Sequence, residues 1–232
     1  MNRFIPVAGL VLFVLVSGCP SGEEVKPDKR IEPTPKEETT APKPEEPQVE
    51  VVQRPVFDPN RPAPCDSHTA CYLQAKDAHA TGERAGYLLA LEKCEYYRGR
   101  YQLEKFYGLC LLILADTYRH LNNYEESQGC YQRFLDAQPD DADLALQARK
   151  GIEEVKAGAK EPALYRDYLK AVSLLKQFNR VPVEDLVKEA EGILSKLHAE
   201  HPDWVLNKKA KFLLEQIEEM MEADDEESGE GS

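Results

Sequence analysis

The sequence predicts an all-α fold, and three observations predict it. From about Pro64 to Ala223 apolar residues recur at three- and four-residue spacing, the period of an amphipathic helix. Helix breakers recur at helix-length intervals, at Gly82, Gly99, Asn122-Asn123, Pro139, Gly158, Pro162, Pro182 and Pro202. No run of β-branched residues alternates with polar ones, so no sheet is expected. These joints predict eight helices, over 67–80, 83–98, 102–121, 124–137, 141–157, 161–178, 183–200 and 203–223.

Three segments flank or precede that region. Residues 1–18 hold Arg3, an apolar run from Phe4 to Val16 that is too short to span a bilayer, and the small residues Ser17 and Gly18 before Cys19. Val16-Ser17-Gly18-Cys19 resembles the lipobox of a bacterial lipoprotein signal peptide. The resemblance implies cleavage before Cys19 and lipidation of Cys19 with two or three acyl chains. Each buried methylene contributes about 0.8 kcal/mol, so such an anchor is nearly permanent. Pro20 stands where enteric lipoproteins kept at the inner membrane have aspartate, which favours the outer membrane, periplasmic face, as the address.

Residues 19–62 follow as a tether. Nine of the chain's 16 prolines lie between 20 and 60, among Glu, Lys and Thr, and such a segment cannot bury enough apolar surface to offset its ordering entropy. Where extended at about 3.1 Å per residue, it would hold the folded part on the order of 100 Å from the lipid.

The helical domain, 63–223, divides into four expected hairpins. The first turns at Gly82 and ends at Gly99; the second turns at Asn122-Asn123 and is stopped by Pro139. A third spans 141–178 across Gly158 and Pro162, and a fourth lies between Pro182 and the chain's acidic end, with Trp204, Phe212, Leu213 and Ile217 expected to cap the stack. Residues 224–232 continue an acidic stretch that reads as a disordered, solubilising tail.

The second hairpin carries the most specific signal. Leu111-x-x-Leu114-Ala115-x-x-Tyr118, Asn123-Tyr124-Glu125-Glu126-Ser127 and Tyr131-x-x-Phe134-x-x-x-x-Pro139 together resemble a tetratricopeptide repeat. Small Ala115 and Ser127 let two helices approach, and Tyr118, Tyr131 and Phe134 fill the wedge to the next hairpin. The offsets of Ser127, Tyr131, Phe134 and Pro139 recur as Ala190, Leu194, Leu197 and Pro202, and as Tyr87, Leu91, Cys94 and Gly99. Three departures stand out: Gly99 replaces proline, Tyr87 replaces a small residue, and Tyr87 to Ser127 is 40 residues where the family has about 34. The resemblance implies a right-handed solenoid of about four antiparallel hairpins, whose concave face is built from the first helix of each pair and binds a partner peptide or helix. Projecting the well-matched repeat onto its neighbours places Tyr72, Lys76, His79, Asp116, Arg119, Lys150 and Glu153 toward that face.

Charge and chemistry-bearing residues narrow the function. The formal charge is −13, but residues 20–60 carry −4 and 222–232 carry −6, leaving 61–221 near −4, with no basic footprint for nucleic acid. Besides Cys19 there are five cysteines, at 65, 71, 94, 110 and 130, and an exported chain meets an oxidising space. Two bridges and one spare thiol allow about 15 connectivities. If the first hairpin turns near Gly82, Cys71 lies opposite Cys94, the preferred bridge. Cys110 and Cys130 are offset by roughly 7 Å along the axis, a strained pairing. Cys110 can face Cys94 or Cys65, and Cys130 equally suits a small buried position.

Nothing in the sequence supplies zinc-ligand spacing, a nucleophile elbow or a phosphate loop. His198-x-x-His201 before Pro202 reads as a helix cap rather than a metal pair, and adjacent acids such as Glu153-Glu154 read as solvated surface. No metal or cofactor is expected. The expectation is a non-enzymatic, lipid-anchored scaffold that binds a protein partner of the cell envelope. It resembles pilotins of type IV pilus secretins and assembly factors of outer-membrane β-barrels. A peptidoglycan-binding or division-coordinating lipoprotein and an accessory subunit of a periplasmic enzyme are the alternatives.

Overall fold

A computed structural model describes residues 51–229 except 56, 57, 59, 61, 138 and 139. The expected signal peptide with Cys19, most of the expected tether and the expected stop at Pro139 lie outside the described residues. Eight helices and no strand are present among those described: α1 (His68–His79), α2 (Arg84–Arg100), α3 (Tyr107–His120), α4 (Tyr124–Asp136), α5 (Ala142–Gly158), α6 (Pro162–Arg180), α7 (Glu184–Glu200) and α8 (Asn207–Gly229). None is long and apolar enough to cross a membrane among the described residues.

Local chemistry sets the boundaries. Ser67 caps α1 by accepting from the Ala70 amide, Asn123 caps α4 through the Glu126 amide, and Asp141 caps α5 through the Asp143 and Leu144 amides. Pro162 opens α6, where its missing N–H costs nothing. Gly82 and Asn122 make the two tight turns in the left-handed region, at φ +71° and +62°. Three ends differ from expectation. Gly99 does not end α2, which runs one residue further before Tyr101 leaves the helix; α3 starts at Tyr107 because 102–106 form a turn; and α8 continues through the acidic residues to Gly229. Beyond Ala223 lie Glu226 and Glu227, good helix formers, and no glycine or proline until Gly229.

Helices adjacent in sequence pack as antiparallel hairpins from α1 through α5, and again from α6 through α8. The order breaks between the two sets. Although consecutive, α5 and α6 touch little, so the expected third hairpin over 141–178 is not a packed pair; α6 pairs with α7 instead and meets α3 and α5 more lightly. Two hydrophobic cores result. The first joins Leu91, Leu111, Leu114, Tyr118, Phe134 and Val155. The second joins Tyr165, Leu169, Leu194, Trp204, Leu213 and Ile217. Trp204 is buried ahead of α8 rather than within it, whereas Phe212 is exposed and caps nothing.

Small and large residues of the second hairpin interlock with each other and with α5. Ser127 Oγ donates to the Ala115 carbonyl at 2.7 Å. A Cβ added at Gly108 would lie 3.1 Å from the Phe134 ring, and one at Gly151 would lie 2.5 Å from Tyr131 Cζ. Each glycine is where an aromatic ring of α4 seats on a neighbouring helix.

The folded part also reaches further back than 63. Val52 packs on the first core, its carbonyl accepts from Asn123 Nδ2 at 3.1 Å, and Arg54 Nε stands 3.5 Å from Glu95 Oε2. Residues 51–55 therefore belong to the domain rather than to a free tether.

Candidate functional site

The strongest concentration of charge lies in the seam between the two cores. Asp116 on α3 is its centre: Oδ2 accepts from His79 Nε2 of α1 at 2.6 Å and from Lys176 Nζ of α6 at 2.9 Å, while Oδ1 pairs with Arg119. Arg119 Nη1 donates to Glu154 Oε1 of α5 at 2.7 Å, and Glu154 also takes Lys209 of α8 and, at 3.3 Å, the Tyr165 hydroxyl. Two carboxylates thus face three cations, drawn from four helices.

A neutral arm runs beside it. His120 stacks on Tyr87 with centroids 4.5 Å apart and an interplanar angle of 11°. Its Nδ1 lies 3.1 Å from Ser173 Oγ, which lies 3.1 Å from the Tyr87 hydroxyl. Lys176 Nζ stands 3.5 Å from Nε2 of both His79 and His120. An ammonium only donates, so His120 carries its proton on Nδ1 and donates to Ser173. Gln177 Nε2 donates to the Gly82 carbonyl at 3.1 Å, which seats α6 on the α1–α2 turn. A Cβ at Gly82 would lie 2.5 Å from the Ser173 carbonyl oxygen, so this contact also requires glycine.

Burial and charge set the protonation states. Burial, reinforced by Lys176, holds His79 below its ordinary value despite Asp116; the same two causes hold His120 well below. Burial opposes ionisation of Asp116, but Arg119, Lys176 and His79 outweigh it and hold the carboxyl well below the usual range. Glu154 is likewise lowered, Arg119 and Lys209 overcoming burial. At neutral pH the carboxylates are charged and both imidazoles neutral.

Ser173 and His120 meet, but His120 Nδ1 donates to Ser173 Oγ, the reverse of a base taking a hydroxyl proton. His120 Nε2 is 3.8 Å from Asp116 Oδ2, outside hydrogen-bond range, and faces the Lys176 ammonium, which opposes protonation. The arrangement is built to hold helices together across a polar interface.

A second buried cluster lies in the first core. Glu95 accepts from Tyr118 Oη and Arg98 Nη2, both at 2.6 Å. Arg98 Nη1 reaches Cys130 Sγ at 3.8 Å. This cluster ties α2 to α3 and to the entering segment at Arg54.

Of the seven residues expected on a partner-binding face, the structure gathers His79, Asp116 and Arg119 in the seam, where α6 of the same chain covers them. Tyr72 stacks on Phe106 at 4.4 Å and is half-buried. Lys76 and Glu153 are exposed and Lys150 is partly so. Glu154 rather than Glu153 enters the seam: one residue turns a helix by 100°, and the register carried over from the second hairpin is off by that step. Lys176, Ser173, His120 and Lys209 had no local signal, because their roles come from helices distant in sequence. Glu154 figured only in the adjacent acids expected to be solvated surface, and the structure corrects that reading by placing it between Arg119 and Lys209.

The expected Cys71–Cys94 bridge is replaced by Cys65–Cys71, with Cα atoms 5.3 Å apart. Cys65 sits just ahead of α1, so a bridge within one turn reaches Cys71 without crossing to α2. Cys94, Cys110 and Cys130 are free and buried. His198 does not read as a metal ligand: Nδ1 lies 2.7 Å from Asn207 Oδ1, and Asn207 Nδ2 donates to the His198 and His201 carbonyls, closing the end of α7. No group of three or more candidate metal ligands occurs among the described residues. Compared with known protein families, with curated proteins and with solved structures, the chain matches none.

Proposed function

We propose that this chain is a non-enzymatic scaffold of a bacterial cell envelope, held to the membrane by lipid on Cys19 and binding a protein partner through its stacked helices. The observation that carries the reading is the interlock of α3, α4 and α5: Ser127 on the Ala115 carbonyl, Phe134 over Gly108 and Tyr131 over Gly151. It supports a tetratricopeptide-like stack, an architecture whose value lies in the long helical surfaces it presents. Because Lys176 of α6 already takes Asp116 and Glu154 of α5 takes Arg119, the partner surface is the remainder of α1 and α5, where Lys76 and Glu153 are exposed.

In-cell crosslinking of the full-length protein tests this, with Lys76→Glu/Glu153→Lys beside wild type. Both positions are exposed, so the variant is expected to fold. Recovery of one secretin-like or β-barrel assembly protein with wild type, and its loss in the variant, would support the scaffold. Recovery of peptidoglycan fragments, or of nothing specific, would overturn it.

A further inference from the structure

We propose that the seam is an acid-sensitive latch: protons taken up by His79 and His120 displace Lys176, loosen α6 from α1 and α3, and uncover Asp116 and Arg119. The latch rests on the seam's geometry and not on the identity of any partner.

Three features make the seam the weak join of the molecule. The buried apolar residues fall into two cores that Tyr124 bridges through its contact with Tyr165. The covalent connection between them is short, and α5 and α6 on either side of it touch little. What holds α6 to α1–α3 is polar: Lys176 on Asp116, Ser173 on His120 and Tyr87, and Gln177 on the Gly82 carbonyl. A polar join responds to charge in a way that an apolar one does not.

The groups around each ring decide the response. His79 faces Asp116 and Arg119 of α3, Tyr87 of α2 with ring centroids 5.5 Å apart, and Lys176 of α6. His120 faces Tyr87 of α2, Ser173 and Lys176 of α6, Asp116 and Arg119 of its own helix, and His79 of α1. Glu154 is turned to Arg119 and Lys209 and neutralises neither ring.

His79 and Lys176 share one oxygen, Asp116 Oδ2. A proton on His79 Nδ1 gives Asp116 a full cation at 2.6 Å and makes the lysine redundant. A proton on His120 Nε2 places a second cation 3.5 Å from the Lys176 ammonium. Lys176 is already partly exposed and can turn to solvent; Ser173 and Gln177 then remain as the hydrogen bonds from α6 to the α1–α3 side, beside the contacts of Tyr165 with Tyr124 and Glu154.

The sign follows from linkage. Both rings bind protons less readily closed than open, so the open form takes up protons first. The closed state is favoured fully above the ordinary histidine pKa of about 6.5 and loses ground as pH falls below it. Each histidine can raise the open-to-closed ratio by up to about tenfold per pH unit within that window. Asp116 and Glu154, held low, add to the loss only in stronger acid.

Hydroxyl-radical footprinting of the full-length chain at pH 7.5 and 5.0 reads the latch. Tyr87 and Tyr165 lie at the seam, while Tyr97 and Tyr118 are buried in the first core, so all four are protected when closed. The expected result is about a tenfold rise in oxidation of Tyr87 and Tyr165 at pH 5.0, with Tyr97 and Tyr118 unchanged, and no rise in H79Q/H120Q. The proposal is overturned if the seam tyrosines stay protected in wild type, if all four rise together through unfolding, or if the variant responds as wild type does. Should the variant fail to fold, the histidine ring protons of the wild-type chain decide by NMR. Two of the five must titrate below the ordinary value, and if all five titrate near it the latch is refuted.

Discussion

Gly151→Ala and Gly192→Ala are the same substitution in two well-formed helices, and the structure gives them opposite signs. At Gly151 of α5 an added Cβ would meet Tyr131 Cζ, Cε2 and Cε1 at 2.5, 2.7 and 2.9 Å, where ordinary contact begins at 3.4 Å. The ring would have to retreat by nearly an ångström, and Tyr131 is 5 % exposed with α4 behind it. Overpacking of this kind costs about 1–3 kcal/mol. Against it stands the gain of about 0.8–1.0 kcal/mol from replacing glycine by alanine in a helix.

The net loss at Gly151 is therefore up to about 2 kcal/mol. At Gly192 of α7 nothing lies within 4 Å, so the helix term acts alone and stabilises by about 0.8–1.0 kcal/mol. In a domain of this size 1 kcal/mol moves Tm by about 2–4 °C. Far-UV circular dichroism against temperature reads both variants, with Trp204, the chain's one tryptophan, reporting the second core by fluorescence. If Gly151→Ala stabilises as Gly192→Ala does, the ring yields freely and the interlock reasoning fails. A double-mutant cycle with Tyr131→Ala sharpens the test. The coupling should exceed about 0.5 kcal/mol, because removal of the ring removes the clash.

Two further outcomes follow from the buried polar groups and the bridge. Glu95→Ala strands the Arg98 guanidinium and the Tyr118 hydroxyl in the first core, so urea denaturation should show a loss of about 3–5 kcal/mol; a loss under 1 kcal/mol would mean that the cluster relaxes into water. Cys65→Ser opens a short loop and should cost about 2 kcal/mol, and peptide mapping without reductant should recover Cys65 joined to Cys71. Recovery of Cys71 joined to Cys94 would contradict the structure.

Helix identity was legible because it is local. Period, caps and breakers act within a few residues, so Ser67, Asn123, Asp141 and Pro162 announce helix starts in a single sequence. The second hairpin was legible in more depth, since Ser127, Tyr131 and Phe134 carry their own spacing. The bridge was not, because hairpin geometry set Cys71 opposite Cys94 and only the path of the chain before α1 brings Cys65 to Cys71. Nor was the face of α5, where a single residue of register separates exposed Glu153 from Glu154 in the seam.

The sequence by itself determined eight helices, the near-neutral folded part between acidic flanks, and the small-and-large pattern that lets α3, α4 and α5 interlock. Tertiary structure alone decided that α6 leaves α5, pairs with α7 and lays Ser173, Lys176 and Gln177 against α1, α2 and α3. The physical reason is range. Helix formation is settled by neighbours three or four residues apart, whereas Asp116 and Lys176 are 60 residues apart and each gains its meaning only from the other.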